Sequence, residues 1–473
     1  MYLYSVVLLG VFFYNIFRRA SYENKLISQT VFTVFIYIFT NRGYFLASDI
    51  LNVDYWQAAI ILEFLLIIVL ERKLIISRPL LFFVSSIIIS TISLILFPAK
   101  NAAVVGTSGS YEYFIAGIQR YITPGITKFT IFFLCLTIIQ AFVFATVFKY
   151  FTFDSYCVLI KKLSDLCRLI VIIACVEFVM KNVFHSNVYN AILEFVFGKG
   201  TSSYTYLIQR GSVYMLTGLN REGAQFAYSL AIVIVVIFAD IKINEKRNLQ
   251  YLWLVLAMGF ILLSGAFTMF IVIVMLIGFG VVYYVNKNPE SKKKLYRFLG
   301  VILCVIPFIL VINYTFGNFV DSGSYLANRL TSAMKSILDI FREDDNYFVG
   351  LATIDSTTTR IYSVVHTIKN WTLRPFWGLG MATTYCHGAT ALALGEIGIC
   401  GIISYMYFYF GRFIRDRLLK SACILTLLIW ISVNLLSGSM PRLYLSIDGF
   451  LIIACMYVVL YQIKYKEQNI VKY

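Results

Sequence analysis

Five arginines and one histidine are the side chains of this sequence best suited to chemistry on a charged substrate. They are Arg210, Arg221, Arg360, Arg374, Arg442 and His387. Arginine keeps its charge and binds phosphate through a planar fork of N–H donors, so several converging arginines would hold a pyrophosphate. Histidine titrates near neutral pH, which suits a general base. These residues therefore predict proton transfer beside a phosphorylated substrate.

Glu222 is a second candidate base, and every one of these residues also has an ordinary structural explanation. A carboxylate directly after Arg221, at the head of an apolar segment, can accept a proton. It also suits the start of a helix, where the positive end of the helix dipole stabilises an acid. Single arginines can pair with aspartates such as Asp355, and a lone histidine at a helix start is often structural. Both explanations stay open for each residue, and the arginines taken as a set favour function.

The common nucleotide and metal motifs are missing from the sequence. It contains no GxxxxGK[ST] loop to hold nucleotide phosphates and no Asp-x-Asp pair to hold a divalent ion. The HExxH, Cys-x-x-Cys and GxSxG patterns are missing as well. We therefore expect chemistry that uses no cofactor and no metal.

The elements that must position these residues are apolar helices in a membrane. Hydrophobic residues make up 60% of the chain and charged residues 14%, which excludes an ordinary soluble domain of this length. The mean hydropathy of +0.80 agrees. The net charge of +16 lies mostly in short loops between apolar segments. It therefore indicates membrane topology and contact with anionic lipids rather than with nucleic acid.

Thirteen apolar segments approach the length of about 20 residues that a transmembrane helix needs. They cover residues 2–17, 27–40, 55–70, 80–98, 129–148, 168–184, 223–240, 251–264, 266–285, 298–315, 389–410, 421–437 and 445–461. With the N-terminus outside, every inner loop carries at least three lysines or arginines, as the positive-inside rule requires. The first segment shows no signal-peptide features and is read as a retained span. The sequence therefore predicts an all-α polytopic integral membrane protein of about 13 transmembrane helices (12–14), with a cytoplasmic C-terminus.

Three regions follow from this topology. Residues 1–315 form an N-terminal transmembrane bundle with an outer loop at 185–222, residues 316–388 form a long outer loop, and residues 389–473 form the C-terminal transmembrane helices. In the long loop, apolar residues at helical spacing predict an amphipathic interface helix over Tyr325–Phe341. A second helix is expected to start after Thr357–Thr359, with a hydroxyl cap, and to stop before Pro375.

Acidic residues inside predicted spans are costly and mark either function or a paired charge. Three such residues are Glu63, Glu177 and Glu396. Glycines recur every three residues at Gly395, Gly398 and Gly401, which predicts ordinary close packing of helices. Among the cysteines only Cys386 lies in a predicted outer loop, so no disulfide framework is expected.

The histidine and the glycines together resemble the histidine-to-glycine signature of bacterial O-antigen ligases. In this chain the signature reads His387-Gly388, nine residues, Gly398, two residues, Gly401. The longer series Arg360, Pro375-x-x-Gly378-x-Gly380, His387, Gly395-Glu396-x-Gly398-x-x-Gly401 resembles the superfamily that joins these ligases to polysaccharide polymerases, including the Wzy polymerases. The series Arg210, Gly218-Leu219-x-x-Glu222-x-x-x-Phe226-Ala227 resembles the other outer-loop motif of that superfamily. Gly388 and Gly223 depart from the pattern, since a polar residue and a proline are usual at these places.

The resemblance implies a GT-C-like membrane glycosyltransferase that acts on undecaprenyl-pyrophosphate-linked oligosaccharides at the periplasmic, outer face of the bacterial plasma membrane. Polymerase members transfer a growing glycan onto the sugar of the next lipid-linked repeat unit. The glycosyl pyrophosphate stores the energy of the transfer, and preplaced arginines would stabilise the charge that develops on the leaving pyrophosphate. The expected partners are these oligosaccharide lipids and membrane lipids, with a chain-length regulator and a flippase as further candidates and no nucleic acid.

Two other functions stay open. An O-antigen ligase would transfer the same donor to lipid A-core, and the histidine signature slightly favours it. A polysaccharide flippase or other transporter would carry out no chemistry, but such proteins usually show repeated halves, which this sequence lacks. We expect the polymerase, with His387 as the base, Glu222 in reserve, and inversion at the anomeric carbon.

Overall fold

The fold is mostly helical over the part of the chain that the computed structural model describes. The described residues are 3–39, 44–46, 52–97, 102–104, 120–122, 125–197, 209–210, 213–220, 222–244, 248–264, 268–287, 356–383, 386–416, 419–436 and 442–470. Within these ranges the chain forms 14 α-helices and three short antiparallel strand pairs.

The helices fall into two groups of seven on either side of a small hairpin. Before it lie α1 (Leu3–Phe17), α2 (Tyr22–Phe39), α3 (Tyr55–Glu71), α4 (Arg78–Leu96), α5 (Lys128–Tyr150), α6 (Phe153–Phe178) and α7 (Val188–Phe197). After it lie α8 (Gly223–Ile243), α9 (Asn248–Leu263), α10 (Thr268–Lys287), α11 (Ser356–Leu373), α12 (Ala389–Ile414), α13 (Lys420–Leu436) and α14 (Asp448–Ile470). A π-helical turn (Val179–Val183) extends α6, and a 3₁₀ turn (Leu443–Leu445) precedes α14.

Three strand pairs interrupt the otherwise helical fold. They are β1 (Tyr44–Leu46) with β2 (Val53–Asp54), β3 (Ala102–Val104) with β4 (Arg120–Ile122), and β5 (Gln209–Arg210) with β6 (Val213–Tyr214). The all-α prediction did not include them. Each strand has at most three residues, which is too short for a two-residue periodicity to show in the sequence.

Hydroxyl residues define the starts of several helices. The Leu80 N–H donates to Ser77 Oγ at 3.3 Å, and Pro79 follows within the first turn of α4, where its missing N–H costs no helical bond. Thr127 and Thr152 form capping boxes at the starts of α5 and α6. Local sequence therefore sets these boundaries.

Twelve of the thirteen predicted apolar segments coincide with helices, and the remaining one, at 298–315, lies outside the described residues. Among the described helices, α4, α5, α8 and α12 are long and apolar enough to cross a membrane. Helices of this kind are compatible with a membrane protein. The number of spans, the GT-C-like arrangement and the orientation in the membrane stay predictions.

Helix α6 begins well before the apolar segment that predicted it. Hydropathy places a span at 168–184 and leaves Lys161 and Lys162 in a loop, but the helix starts at Phe153. In its first half the two lysines are exposed while Leu163, next to them, is buried. The mean hydropathy of such an amphipathic half is low, because its charged residues offset its apolar ones. The basic residues therefore lie on a helix face and not in a loop.

Helix α11 confirms one predicted end and corrects the other. It stops at Leu373, before Pro375, as expected. It starts at Ser356, so Thr357–Thr359 lie in its first turn and not ahead of it. Hydroxyl residues suit the first turn as well as the cap, because backbone N–H groups there lack helical acceptors. The expected helix over Tyr325–Phe341 lies outside the described residues.

Helices α8 and α12, which follow the two outer-loop motifs, both lie inside the bundle. Of the apolar window of α8, 78% is buried, against 39% for α4, so α8 is the more central helix. It packs against α6, α9, α10 and α14, whereas α12 packs against α4, α11 and α13. The motifs are therefore attached to well-buried helices that hold their starting residues in place.

Segments predicted on the same side of the membrane meet at the same end of the bundle. At the end predicted to be cytoplasmic, the Ser155 hydroxyl donates to the Glu23 carboxylate, and Arg412 Nη2 donates to the Phe151 carbonyl at 2.8 Å. At the opposite end, segments 90–96 and 374–380 are in contact. These contacts agree with the alternation of spans. Which end faces the cell exterior stays a prediction.

Candidate functional site

A tight turn leads into α8 and carries the glycine of the first outer-loop motif. The Asn220 N–H donates to the Thr217 carbonyl at 2.9 Å, and Gly218 adopts φ +56°. A Cβ atom at position 218 would lie 2.5 Å from the Phe226 ring, so glycine alone fits there. Gly218 and Phe226, two residues of the motif, are thus packed against each other.

Glu222 is the N-cap residue of α8. Its backbone is extended (φ −137°, ψ 153°), its carbonyl accepts the Phe226 N–H at 3.0 Å, and its side chain makes no cap hydrogen bond. The side chain is half-buried. The acid therefore lies just ahead of the first helical turn, at the positive end of the helix dipole.

Six residues after Glu222, a buried polar network joins α8 to α13 and α14. The Tyr228 hydroxyl donates to Asp448 Oδ2 at 2.5 Å. Trp430 Nε1 and Asn434 Nδ2 each donate to the Tyr228 oxygen at 3.1 Å. All four side chains are buried. Buried polar groups need hydrogen-bond partners, so this network fixes the three helices relative to one another.

The last turn of α13 also packs against the start of α12. A Cβ atom built on Gly388 would lie 1.9 Å from the Leu435 carbonyl oxygen, so a side chain has no room there. Two residues further on, Thr390 Oγ1 donates to the Ile431 carbonyl at 3.0 Å. Asn434 and Leu435 are consecutive, so one turn of α13 contacts both the α8 network and the α12 start. We call this contact around Asn434 and Leu435 the α13 junction.

His387 lies directly before α12 and is held by α11. Its backbone N–H donates to Ser363 Oγ at 3.2 Å, and its side chain is half-buried. Cys386 is buried beside it, and the Gly388 N–H donates to Cys386 Sγ at 3.3 Å. Burial raises the pKa of the Cys386 thiol to about 11, so the thiol is neutral at physiological pH. Arg360 lies three residues before Ser363 in α11.

Helix α12 is interrupted at Gly398, which corrects the prediction that Gly395, Gly398 and Gly401 form an ordinary helix-packing face. Gly398 has φ +64° and ψ −173°, a conformation outside the helix. A Cβ atom there would lie 2.4 Å from the Phe376 carbonyl oxygen. Gly378 has φ +71°, and a Cβ atom built on it would lie 2.5 Å from the Glu396 carbonyl group. The glycines therefore allow two backbones to touch rather than two helices to pack.

The segment 375–380 supplies the backbone hydrogen bonds that the broken helix lacks. The N–H groups of Leu379 and Gly380 donate to the carbonyls of Gly395 and Glu396 at 2.7 and 2.9 Å, and those of Ile399 and Cys400 donate to the carbonyls of Pro375 and Phe376 at 2.9 and 3.0 Å. Buried backbone groups have to be paired, so the two segments stabilise each other. The second motif is therefore one folded unit.

Arg374 ties this unit to α4. Its Nη1 donates to the Ser93 carbonyl at 2.9 Å, and Ser90 Oγ donates to the Glu396 carbonyl at 3.1 Å. Partial burial lowers the pKa of Arg374, but an arginine remains charged at pH 7. A guanidinium group carries five N–H donors, so this bond leaves others for a ligand.

Arg442 is buried and paired with Glu396. Arg442 Nη2 lies 3.3 Å from Glu396 Oε1, which also accepts the Ala382 N–H at 2.9 Å, and the Tyr444 hydroxyl donates to the second carboxylate oxygen. The guanidinium carbon lies 3.9 Å from the centre of the Phe133 ring. Burial alone would lower the pKa of Arg442, but the Glu396 carboxylate outweighs it and raises the pKa. The charge of Arg442 is thus compensated inside the protein, which disfavours it as a pyrophosphate ligand.

Glu63 and Glu177, flagged in the same way, also have internal partners, and Glu177 is paired with a charge as one of the two alternatives for such residues expects. Thr30 Oγ1 donates to Glu63 Oε1 at 2.6 Å. Lys181 Nζ lies 2.6 Å from Glu177 Oε1. Both carboxylates are buried. All three acids flagged by their position in spans therefore have internal partners.

The structure links the helices that follow the two candidate bases through α13 and leaves the arginine set undecided. His387 and Glu222 precede the starts of α12 and α8, which the α13 junction connects. For Arg210 on β5 and Arg360 in α11 the backbone alone is described, and Arg221 lies outside the described residues. The convergence of these arginines on one ligand stays a prediction.

Sequence reasoning missed the residues that build the α13 junction. Asp448 lies in a predicted span, so the rule that flagged the three glutamates also applies to it. Tyr228, Trp430 and Asn434 carry no such signal, because tyrosine, tryptophan and asparagine are common at the ends of membrane helices. Their role follows only from the packing of α8, α13 and α14.

No metal centre is apparent in the described ranges, where no three histidine, cysteine, aspartate or glutamate side chains cluster suitably. No protein-family model matches this chain, and no curated protein matches it either.

Proposed function

We propose that this protein is a polysaccharide polymerase that transfers a growing glycan from undecaprenyl pyrophosphate onto a lipid-linked repeat unit at the outer face of the plasma membrane. The observation that carries the proposal is the α13 junction. It connects Tyr228, in the second turn of the helix that follows Glu222, to Gly388, the N-cap residue of the helix that follows His387. An inverting glycosyl transfer needs a proton acceptor fixed beside the attacking hydroxyl, and rigid helix starts provide that positioning.

The proposed reaction is a single displacement at the anomeric carbon of the donor glycan. His387 takes the proton of the acceptor hydroxyl as the hydroxyl oxygen attacks that carbon. The bond from the anomeric carbon to the pyrophosphate oxygen breaks, and its electron pair leaves with undecaprenyl pyrophosphate. The anomeric configuration inverts. Glu222 is the reserve base.

Four arginines, Arg210, Arg221, Arg360 and Arg374, are proposed to bind the donor pyrophosphate. Charge on the bridging oxygen grows as the glycosidic bond breaks, so fixed guanidinium groups stabilise the transition state more than the ground state. The compensated pair of Arg442 with Glu396 supports a structural role for Arg442 instead. It holds the 3₁₀ turn before α14 against α12.

The departure of Gly388 from the ligase signature has a physical explanation in the packing of α13. The polar residue usual at this place would need a Cβ atom, which the Leu435 carbonyl excludes. Glycine is required here because α13 lies against the motif.

The glycolipids of a strain that lacks the gene test the proposal against its rivals. Loss of a polymerase leaves single repeat units attached to lipid A-core or another acceptor. Loss of a ligase leaves polymer on the undecaprenyl carrier, and loss of a flippase leaves single units on the carrier inside the cell. The proposal predicts the first profile, restored by the wild-type gene and not by His387→Ala at equal protein level. Either of the other profiles would refute it.

A further inference from the structure

The turn before α8 rests on a buried carboxylate that the proposed mechanism does not use. Glu177, in the last turn of α6, is 0% exposed. Its oxygens accept the Thr217 N–H at 2.9 Å, the Thr217 hydroxyl at 3.0 Å and the Gly218 N–H at 2.7 Å. Charge-assisted hydrogen bonds of this length are among the stronger ones in proteins. The turn is thus fixed from α6.

A buried lysine compensates the charge of this carboxylate. Lys181 is 4% exposed, and its Nζ lies 2.6 Å from Glu177 Oε1. It belongs to the π-helical turn Val179–Val183 and lies over the Tyr189 ring, 5.4 Å from the ring centre. A buried ion pair with further hydrogen bonds contributes little net stability compared with an apolar pair of the same size. The pair is therefore better explained by the positions in which it holds the turn than by the stability that it adds.

The geometry that the pair imposes is that of an anion-binding turn already filled by the protein. The N–H groups of Thr217 and Gly218 both donate to the Glu177 carboxylate, as successive N–H groups do in the backbone nests that bind anions. The Glu177 carboxylate occupies this concavity. Tyr189 OH donates to the Gly218 carbonyl at 2.8 Å. The peptide units on both sides of Gly218 are therefore held.

We propose that Glu177 is a positioning residue that, with Lys181, sets the direction in which the chain leaves the turn and presents Glu222. Glu222 follows Gly218 by four residues, so we expect a change in the peptide at Gly218 to displace the α8 N-cap. This inference rests on the proposed function for the role of Glu222. The clamp itself, defined as Glu177, Lys181, Thr217 and Gly218, can be tested without it.

Two charge-free variants test the clamp. Glu177→Met with Lys181→Met removes every acceptor while leaving no buried charge. Glu177→Gln with Lys181→Met keeps one acceptor oxygen. Glu63→Gln is the matched control, because it neutralises another buried carboxylate that lies on α3, away from the turn.

Amide hydrogen exchange of the purified full-length protein in lipid nanodiscs is the first measurement. We expect the amides of Thr217 and Gly218 to exchange about tenfold to a hundredfold faster in the Met/Met variant, as loss of a hydrogen bond to a charged acceptor implies. The Gln/Met variant should be intermediate and Glu63→Gln unchanged. Unchanged protection in the Met/Met variant would refute the clamp whatever the protein catalyses.

Glycan transfer by the same samples is the second measurement. We expect kcat per folded molecule to fall about a hundredfold in the Met/Met variant, the scale of a misplacement near 1 Å, with the donor KM within about twofold. A purely structural role would lower the folded fraction and leave kcat per folded molecule unchanged, which would overturn the positioning role. If the wild-type protein transfers no glycan, the proposed function fails, and the exchange data still decide the clamp.

Discussion

Substitution of Gly388 by alanine gives a sharp prediction, because the structure leaves no room for one added methyl group. The new Cβ atom would lie 1.9 Å from the Leu435 carbonyl oxygen and 2.8 Å from its carbon. Real Cβ contacts essentially never fall below 3.0 Å. The methyl group and the carbonyl must therefore separate by about 1.1 Å, the difference between 3.0 and 1.9 Å. Both partners are backbone-linked, so the start of α12 has to move away from α13.

The consequences of this movement differ for stability and for activity. Forced separation of packed backbones costs about 1–3 kcal/mol of unfolding free energy. A displacement of about 1 Å at His387 costs about a hundredfold in transfer rate. We therefore expect a folded protein with a lowered thermal midpoint and about 1% of the wild-type rate. The polar residue usual in the ligase signature at this place, introduced as Gly388→Ser, should be no better, since it also carries a Cβ atom.

The assay combines thermal unfolding in detergent with glycan transfer in nanodiscs. Gly259→Ala is the matched control, because a Cβ atom on that glycine of α9 meets no atom within 4 Å. It should keep the wild-type rate and unfold at the same or a slightly higher temperature, since alanine favours the helix. A Gly388→Ala protein with wild-type rate and stability would contradict the contact at the α13 junction.

Three further predictions concern the pair at Arg442, the thiol of Cys386 and the side of the membrane on which α11 lies. Arg442→Met leaves the Glu396 carboxylate buried without its cation, so we expect the unfolding free energy to fall by about 3–5 kcal/mol, part of which the double variant with Glu396→Gln recovers. Equal stability of the single and double variants in denaturation would contradict the pairing. Burial raises the pKa of Cys386 to about 11, so N-ethylmaleimide at pH 8 should label this thiol only after unfolding. Labelling of Cys386 in the native protein, detected by mass spectrometry, would contradict its burial. Thr372→Cys, on the exposed surface of α11, should react with a membrane-impermeant maleimide in intact spheroplasts. Reaction only after permeabilisation would place this region in the cytoplasm and refute the proposed topology.

The sequence predicted the helices better than the contacts between them. Twelve apolar segments became helices because long apolar runs favour helix whatever their neighbours, and helix starts such as Thr127 follow from local capping. The first half of α6 was missed because the charged residues on one face lower the mean hydropathy of a segment whose other face is apolar. The interruption at Gly398 was missed because glycine spacing suits helix packing and a backbone break equally well.

In the candidate site, too, the sequence indicated single residues better than the contacts between them. Residue type made His387 and Glu222 the candidate bases, since few side chains accept protons near neutral pH, and their role stays a prediction. The connection between the helices that follow them depends on Asn434 and Leu435 of α13, which lie far from both bases in sequence. The pairing of Arg442 with Glu396, 46 residues apart, is likewise a tertiary fact. Charge alone therefore could not separate Arg442 from the arginines proposed to bind pyrophosphate.

Nucleotide-free polymerisation by the purified protein tests the central claim most directly. The protein is placed in nanodiscs with lipid-linked repeat units extracted from the deletion strain, in buffer containing a metal chelator. We predict a ladder of products that grow by one repeat unit, with release of undecaprenyl pyrophosphate, and loss of the ladder in His387→Ala at unchanged thermal stability. No ladder from the wild-type protein, or a full ladder from His387→Ala, would contradict the account.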